Sequence, residues 1–227
     1  MKNVIVTGAS KGIGYHTALE FARQGHRVLA IARNGELLNK LKAESDANGR
    51  VEVMPLDLAG DYDVNRLTSS FGSVDVLMNN AGALVNKAFG EINADDLQRV
   101  YNVNVFAPFK LIQKLMPYFN QGAHIINIGS VGGMNGTQKF PGLTAYSSSK
   151  AAMSCLAECL QAEFEDSGII FNSLALGAVQ TEMLSQAFPG YKAPVSSSEM
   201  AKYIVNFTFS APPVIRGKTI SVSRTNP

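Results

Sequence analysis

Charge excess, cysteine and long apolar runs are all scarce in this chain, and each shortage removes a class of function. Twenty Lys and Arg stand against eighteen Asp and Glu over 227 residues, a formal net charge of +2. So even a balance offers no broad field for a nucleic acid or an anionic membrane surface. No apolar stretch approaches the ~20 residues needed to span a bilayer, and Asn3-Val4-Ile5-Val6-Thr7 is far shorter than the core of a secretion signal. The expected location is the cytoplasm, with neither membrane nor nucleic acid among the partners. Cys155 and Cys159 lie four apart and would share a helix face, as small packing hydrophobes. The three histidines, His16, His26 and His124, are far from that pair in sequence, so no metal site is expected. A disulfide is disfavoured in the expected compartment.

What is present is an ordinary globular composition, 46% hydrophobic and 17% charged, on a length that suits one α/β domain. Short β-branched runs alternate with longer amphipathic stretches. Strands are predicted at Asn3–Thr7, Arg27–Ala32, Val51–Pro55, 74–78, 124–128, 169–175 and Lys218–Val222. Most are continuous apolar runs, the pattern of strands covered on both faces. Helices are predicted to begin near Gly12, Gly35, Asp61, Asn93, Thr144 and Ser198, with Asn93 as an N-cap before Asp95 and Asp96. The alternation implies right-handed βαβ crossovers and a mainly parallel seven-stranded sheet with helices on both faces. No repeat or linker interrupts it, so residues 1–227 form a single domain. The segment 176–198, rich in Ser, Pro and Gly, is predicted to be a loop or lid.

The first strand leads into Thr7-Gly8-Ala9-Ser10-Lys11-Gly12-Ile13-Gly14 and then a helical pattern. Glycines at 8, 12 and 14 allow a tight turn, close approach of backbone to a pyrophosphate and close helix–strand packing. The helix amino terminus then offers unpaired N–H groups and a positive dipole end. This points to a Rossmann-type, doubly wound domain that binds a dinucleotide. Such folds usually place a carboxylate ~20 residues further on for the adenosine ribose. Here the second strand ends Ala32-Arg33-Asn34, without one. Arg33 and Lys11 together suit a ribose 2′-phosphate, which favours NADP(H) over NAD(H). Glu36, the nearest carboxylate, suits the first turn of the next helix.

Tyr146-Ser147-Ser148-Ser149-Lys150 sets a phenol and an ammonium at i and i+4, on one helix face. An ammonium beside a phenol lowers a pKa that starts near ~10, as a general acid–base requires. Upstream, strand 124–128 runs into Gly129-Ser130, at the carboxyl end where α/β sheets bind ligands. With Asn79-Asn80-Ala81-Gly82 after the fourth strand and Asn104 in Val103-Asn104-Val105, the chain resembles the classical short-chain dehydrogenase/reductase family over its whole length. The resemblance implies that Tyr146 is the acid–base and that Lys150 holds the nicotinamide ribose while lowering the Tyr146 pKa. It implies that Ser130 hydrogen-bonds the substrate oxygen and that Asn104 holds a water in a proton relay. Gly8, Ser10, Lys11, Gly12, Ile13 and Gly14 would line the phosphates. Asp57, with Leu58, would meet the adenine; Asn80, Ala81 and Gly82 the ribose side; Thr181 the carboxamide.

The chain departs from that family in three places. Ser130 and Tyr146 are 16 residues apart, so the 131–142 loop is enlarged. Leu176-Gly177 stands where Pro-Gly is usual, and Ile220-Ser221-Val222-Ser223-Arg224 lacks the usual Gly-Gly. The expected activity is hydride transfer between nicotinamide and a small carbonyl or secondary alcohol. The rival reading is a catalytically silent nucleotide sensor or scaffold, disfavoured by the intact Ser130, Tyr146 and Lys150. An epimerase or dehydratase usually needs more chain after the seventh strand. Met183, Leu184, Phe188 and Tyr191 are expected to form an apolar wall over the site. The stretches 93–117 and 144–166 look apolar on more than one face, which predicts a homodimer or homotetramer.

Overall fold

The continuous apolar runs become strands because alternate residues of each strand enter different cores. Val4 and Val6 belong to one core and Ile5 to the other. Val28 and Ala30 are divided from Leu29 and Ile31 in the same way, and Ile126 and Ile128 from Ile125. A sheet apolar on both faces has to be covered on both.

The computed structural model describes residues 1–45 and 50–224. The chain runs β1 (Asn3–Thr7), α1 (Gly12–Arg23), β2 (Arg27–Ala32), α2 (Gly35–Ser45), β3 (Val51–Pro55), α3 (Asn65–Thr68) and β4 (Val74–Asn79). It continues as α4 (Ala94–Tyr101), α5 (Ala107–Leu115), β5 (Phe119–Ser130), α6 (Thr144–Glu163), β6 (Ile170–Leu176) and β7 (Val179–Gln180). The last elements are α7 (Glu182–Ala187), β8 (Val195–Ser196), α8 (Ser197–Ser210) and β9 (Lys218–Val222). Seven strands form one sheet in the order β3-β2-β1-β4-β5-β6-β9, every pairing parallel. Phe21 of α1, Leu38 of α2 and Ile204 of α8 fill one core; Leu111 and Leu115 of α5 and Ala157 of α6 fill the other. This is the expected doubly wound, Rossmann-like architecture. The strand order reverses between β1 and β4, which opens a crevice at their carboxyl ends.

The structure departs from the sequence pattern in three places. The helix predicted near Asp61 is only α3, because Asp63 turns the chain back to accept Asn65 N–H at 2.9 Å and Gly72 (φ +72°) ends the segment. The apolar stretch from residue 93 is not one helix: a π-helical turn over Asn102–Phe106 separates α4 from α5. Asn93 does cap α4, in a reciprocal box with Asp96. Segment 176–198 is not all loop. Thr181 accepts Leu184 N–H and caps α7, and β7 pairs with β8. Leu97, Phe106 and Phe109 of the α4–α5 stretch are exposed. Among the described residues no helix is long and apolar enough to cross a membrane, and no three His, Cys, Asp or Glu cluster as metal ligands would.

One buried polar group ties the centre of the sheet to its last helix. Thr208 stands four residues before Pro212, which has no N–H to return to it. His124 Nδ1 donates to that free carbonyl at 2.9 Å, and Nε2 accepts from Asn172 Nδ2 at 3.0 Å. Asn172 in turn donates to Ile215 O at 3.0 Å and accepts Lys218 N–H at 3.1 Å. The neutral ring satisfies both neighbours, and burial pushes the His124 pKa down to about 4. Unfolded, the ring titrates near ~6.5. The contribution is therefore complete above the unfolded value and is lost as pH falls from there toward the folded one. Between pH 7 and 4.5 the wild type should lose about 2 kcal/mol more than His124→Gln in urea unfolding. Parallel pH curves for the two proteins would remove His124 from the account.

Candidate active site

The crevice is built outward from Thr7, the last residue of β1, which is 2% exposed. Its hydroxyl donates to Met78 O at 3.3 Å and accepts the N–H groups of Asn80 and Ala81, both at 3.0 Å. Asn80 reciprocates, donating from Nδ2 to Thr7 O at 3.0 Å and to Gly8 O at 3.2 Å. The carboxyl ends of β1 and β4 are thereby stapled at the point where strand order reverses. The glycines follow from that closeness. A Cβ on Gly8 (φ +66°) would lie 2.7 Å from Ala81 Cα, and one on Gly14 would lie 2.4 Å from Asn80 Nδ2. Gly8 and Gly14 are required by packing inside the protein.

Above this staple lies a cleft of about 1040 Å³. Of the residues expected to act on substrate or hold the cofactor, all but Gly14 and Asn104 line it, from Gly8, Ser10, Lys11, Gly12 and Ile13 at one end to Ser130, Tyr146 and Lys150 at the other. Lys11 precedes α1 in extended conformation and its side chain caps nothing. The first N–H groups of α1 thus meet the cleft without a side-chain acceptor, a fit for a pyrophosphate. Arg33 is exposed at the tip of β2, and among the described residues no side chain pairs with it. Lys11 is 3.5 Å from Glu182 on α7. Glu36 lies in the first turn of α2, as its position implies. Asp57 accepts Ala59 N–H at 3.0 Å, capping the turn after β3, and Asp57 and Leu58 line the same wall. A site built this way fits a dinucleotide.

At the other end, Tyr146 and Lys150 project from α6, as their spacing requires. The Ser130 hydroxyl faces the Tyr146 phenol and works to lower its pKa, and Ser130 Oγ accepts Gly132 N–H at 3.3 Å. Lys150 Nζ donates to Ile128 O at 2.8 Å and lies 5.8 Å from the centre of the Tyr146 ring. Burial without a carboxylate partner pushes the Lys150 pKa down to about 8. The Tyr146 pKa, expected to be lowered, is raised on balance. Burial of the phenol raises it, the Ser130 hydroxyl opposes that, and the ammonium is turned to the Ile128 carbonyl.

Asn104, 1% exposed, stands behind the cleft at the centre of the π-helical turn. Its Oδ1 accepts Ala83 N–H at 2.7 Å, and its Nδ2 donates to Ala83 O and to Ser149 Oγ, each at 2.9 Å. The side chain is fully used in these contacts. The enlarged 131–142 loop returns to the cleft rim, where Gly142 O accepts Lys87 N–H at 3.1 Å. Asn86 joins that rim to α7, donating to Ala187 O at 2.7 Å. Met183, Leu184, Phe188 and Tyr191 do line the cleft, with Phe140 of the enlarged loop. Sequence spacing did not single out Thr7, Asn86 or Ser149 as side chains that shape the site. Thr7 and Ser149 each sit inside a quoted motif, and only the fold shows what their hydroxyls bond.

Comparison with known proteins agrees with this geometry. A family model described as short chain dehydrogenase matches residues 2–192. A fatty acyl-CoA reductase of Acinetobacter baylyi is 32% identical over 214 residues, covering 90% of this chain and 72% of that protein. An uncharacterized oxidoreductase of Mycobacterium bovis is 32% identical over 218 residues; the match covers 90% of this chain and only 62% of the relative's length. The structure of L-sorbose reductase from Gluconobacter frateurii, complexed with NADPH and L-sorbose, superposes with a TM-score of 0.86 at 25% identity, over 98% of this chain and 95% of that one. A 3-ketoacyl-(acyl-carrier-protein) reductase from Brucella melitensis, complexed with NADH, shares the fold at a TM-score of 0.88 and 23% identity, over 97% and 96% of the two chains.

The staple makes its own prediction. Thr7→Val keeps the shape and leaves Asn80 and Ala81 N–H without their acceptor, at a cost of about 1–3 kcal/mol in urea unfolding. A variant as stable as the wild type would show that water replaces the hydroxyl.

Proposed function

The chain belongs to the short-chain dehydrogenase family of oxidoreductases, and from that membership we propose that it is an NADP(H)-dependent enzyme moving a hydride between nicotinamide and a carbonyl or secondary alcohol. The observation that carries the proposal is the gathering of Ser130, Tyr146 and a buried Lys150 in the same cleft as the uncapped amino terminus of α1. The residues that line the dinucleotide end would hold the cofactor, which supplies or accepts the hydride when bound. In reduction, Tyr146 gives its proton to the carbonyl oxygen while the Ser130 hydroxyl hydrogen-bonds the same oxygen. Burial keeps the phenol in the protonated form from which reduction starts, and it raises the cost of releasing that proton. Lys150 holds a positive charge with no carboxylate partner, so a phenolate formed at Tyr146 gains its attraction. The apolar wall of Met183, Leu184, Phe188 and Tyr191 suits a substrate with an apolar body. Association into a homodimer or homotetramer through the exposed Phe106 and Phe109 is part of the proposal, and light scattering at micromolar concentration checks it.

A panel of ketones and aldehydes with NADPH, followed by loss of nicotinamide absorbance, tests the reaction class. On the best substrate, Tyr146→Phe should lose most turnover and keep its NADPH affinity, because only the transferable proton is gone. Near-normal turnover in that variant would overturn the mechanism.

The cofactor preference rests on Arg33 and on the absence of a carboxylate at the tip of β2. Losing a cation that pairs a 2′-phosphate costs about 1.5–3 kcal/mol, so NADPH should bind at least about tenfold more tightly than NADH. Arg33→Ala should weaken NADPH and leave NADH almost unchanged. Lys11→Ala should have a smaller effect, since Glu182 already shares that charge. Fluorescence titration of both cofactors decides it; equal affinities in the wild type would assign the preference to NAD.

A further inference from the structure

Of the three serines between Tyr146 and Lys150, Ser149 alone is buried, with 0% exposure. Serine is a poorer helix former than alanine, and a buried hydroxyl needs partners. Ser149 Oγ has two. It donates to Tyr146 O, one turn back, at 2.7 Å, and it accepts Asn104 Nδ2 at 2.9 Å. Asn104 then grips both backbone groups of Ala83, at 2.7 and 2.9 Å. The contacts form one unbroken path from the loop after β4 to the turn of α6 that carries the phenol and the ammonium. The two ends of that path are close: a Cβ on Gly82 would lie 3.6 Å from both Lys150 Nζ and Asn104 Oδ1. Every polar atom of the Asn104 amide is engaged, so the loop and the helix cannot slide past each other without breaking a buried hydrogen bond. The π-helical turn over Asn102–Phe106 is what swings Asn104 to this place.

We propose that Ser149 is a positioning residue which, through Asn104, fixes the Tyr146–Lys150 turn against the Gly82–Ala83 loop. The proposal rests on the assignment of the chemistry to Tyr146 and Lys150. Ser149 touches neither substrate nor cofactor; it sets where the phenol and ammonium stand relative to the cleft wall that holds the cofactor. Its hydroxyl bonds the α6 backbone between the two catalytic groups, so its loss alters their placement and leaves the helix itself formed.

The test compares wild type, Ser149→Ala, Asn104→Ala and the double variant. The ionisation of Tyr146 is followed by NMR of protein labelled at tyrosine Cζ, its resonance identified from Tyr146→Phe. Turnover is followed in parallel on the best substrate of the carbonyl panel. In Ser149→Ala the Tyr146 resonance should titrate at a different pH from the wild type, and kcat should fall about tenfold, as for a small misplacement of reacting groups. The KM for NADPH should change by less than about threefold, since ground-state binding is retained. Adding Ser149→Ala to Asn104→Ala should cost nothing further, because the path is already cut. An unchanged Tyr146 titration with kcat near the wild-type value would overturn the proposal, as would fully additive losses. If the wild type turns over none of the panel and Ser149→Ala still shifts the Tyr146 titration, the positioning role stands and the assigned activity falls.

Discussion

The site depends on one constraint, that two parallel strands leaving in opposite senses must be held together where they part. The Thr7 hydroxyl does this by taking two N–H groups from the loop after β4 while giving its own proton to Met78. Because the strands end so close, Gly8 and Gly14 have no room for a side chain. Because the turn carries no side-chain cap, the first N–H groups of α1 are left for a ligand. The glycine spacing is thus a product of strand closure as much as of ligand contact. The same closure puts Gly82 and Ala83 within reach of Lys150 and Asn104.

At the chemical end, burial and charge compete, and burial wins at both groups. Desolvation drives the phenol up and the ammonium down, so both neutral forms are favoured relative to water. Near neutral pH the phenol keeps its proton, while Lys150, at about 8, retains most of its charge. The Ile128 carbonyl is its hydrogen-bond acceptor. Such an ammonium is poised to respond to any negative charge that arrives, because nothing nearby has neutralised it. A carboxylate in this position would have held the charge more firmly and removed that responsiveness.

Most of the fold was legible because its strongest signals are local. Strands buried on both faces must be apolar throughout, and all seven runs proved to be strands of one sheet. Residues in ordered motifs were legible for the same reason: Tyr146 and Lys150 need only helical spacing to share a face, and a glycine that cannot carry a Cβ is visible as a glycine. What was missed depends on partners far apart in the chain. Ser149 reads as one of three like serines until Asn104 comes to it from 45 residues away. The π-helical turn has no breaker residue to announce it, and α7 is too short for periodicity, set only by the Thr181 cap. The direction of the Tyr146 pKa was not legible because spacing reveals that two groups share a face and not how deeply each is buried.

The proline after α8 has a consequence for how the molecule comes into being. Pro212 frees the Thr208 carbonyl, and that carbonyl, with Asn172, is what makes a histidine tolerable in the middle of β5. Met200, Ile204, Val205 and Phe207 of the same helix complete one of the two cores. One face of the sheet is therefore incompletely covered, and the imidazole unmet, until α8 and the turn after it have packed. Domains generally acquire their final packing as units. Here that unit includes α8 and the turn at Pro212, so neither the core nor the His124 contacts are complete in an intermediate that lacks them.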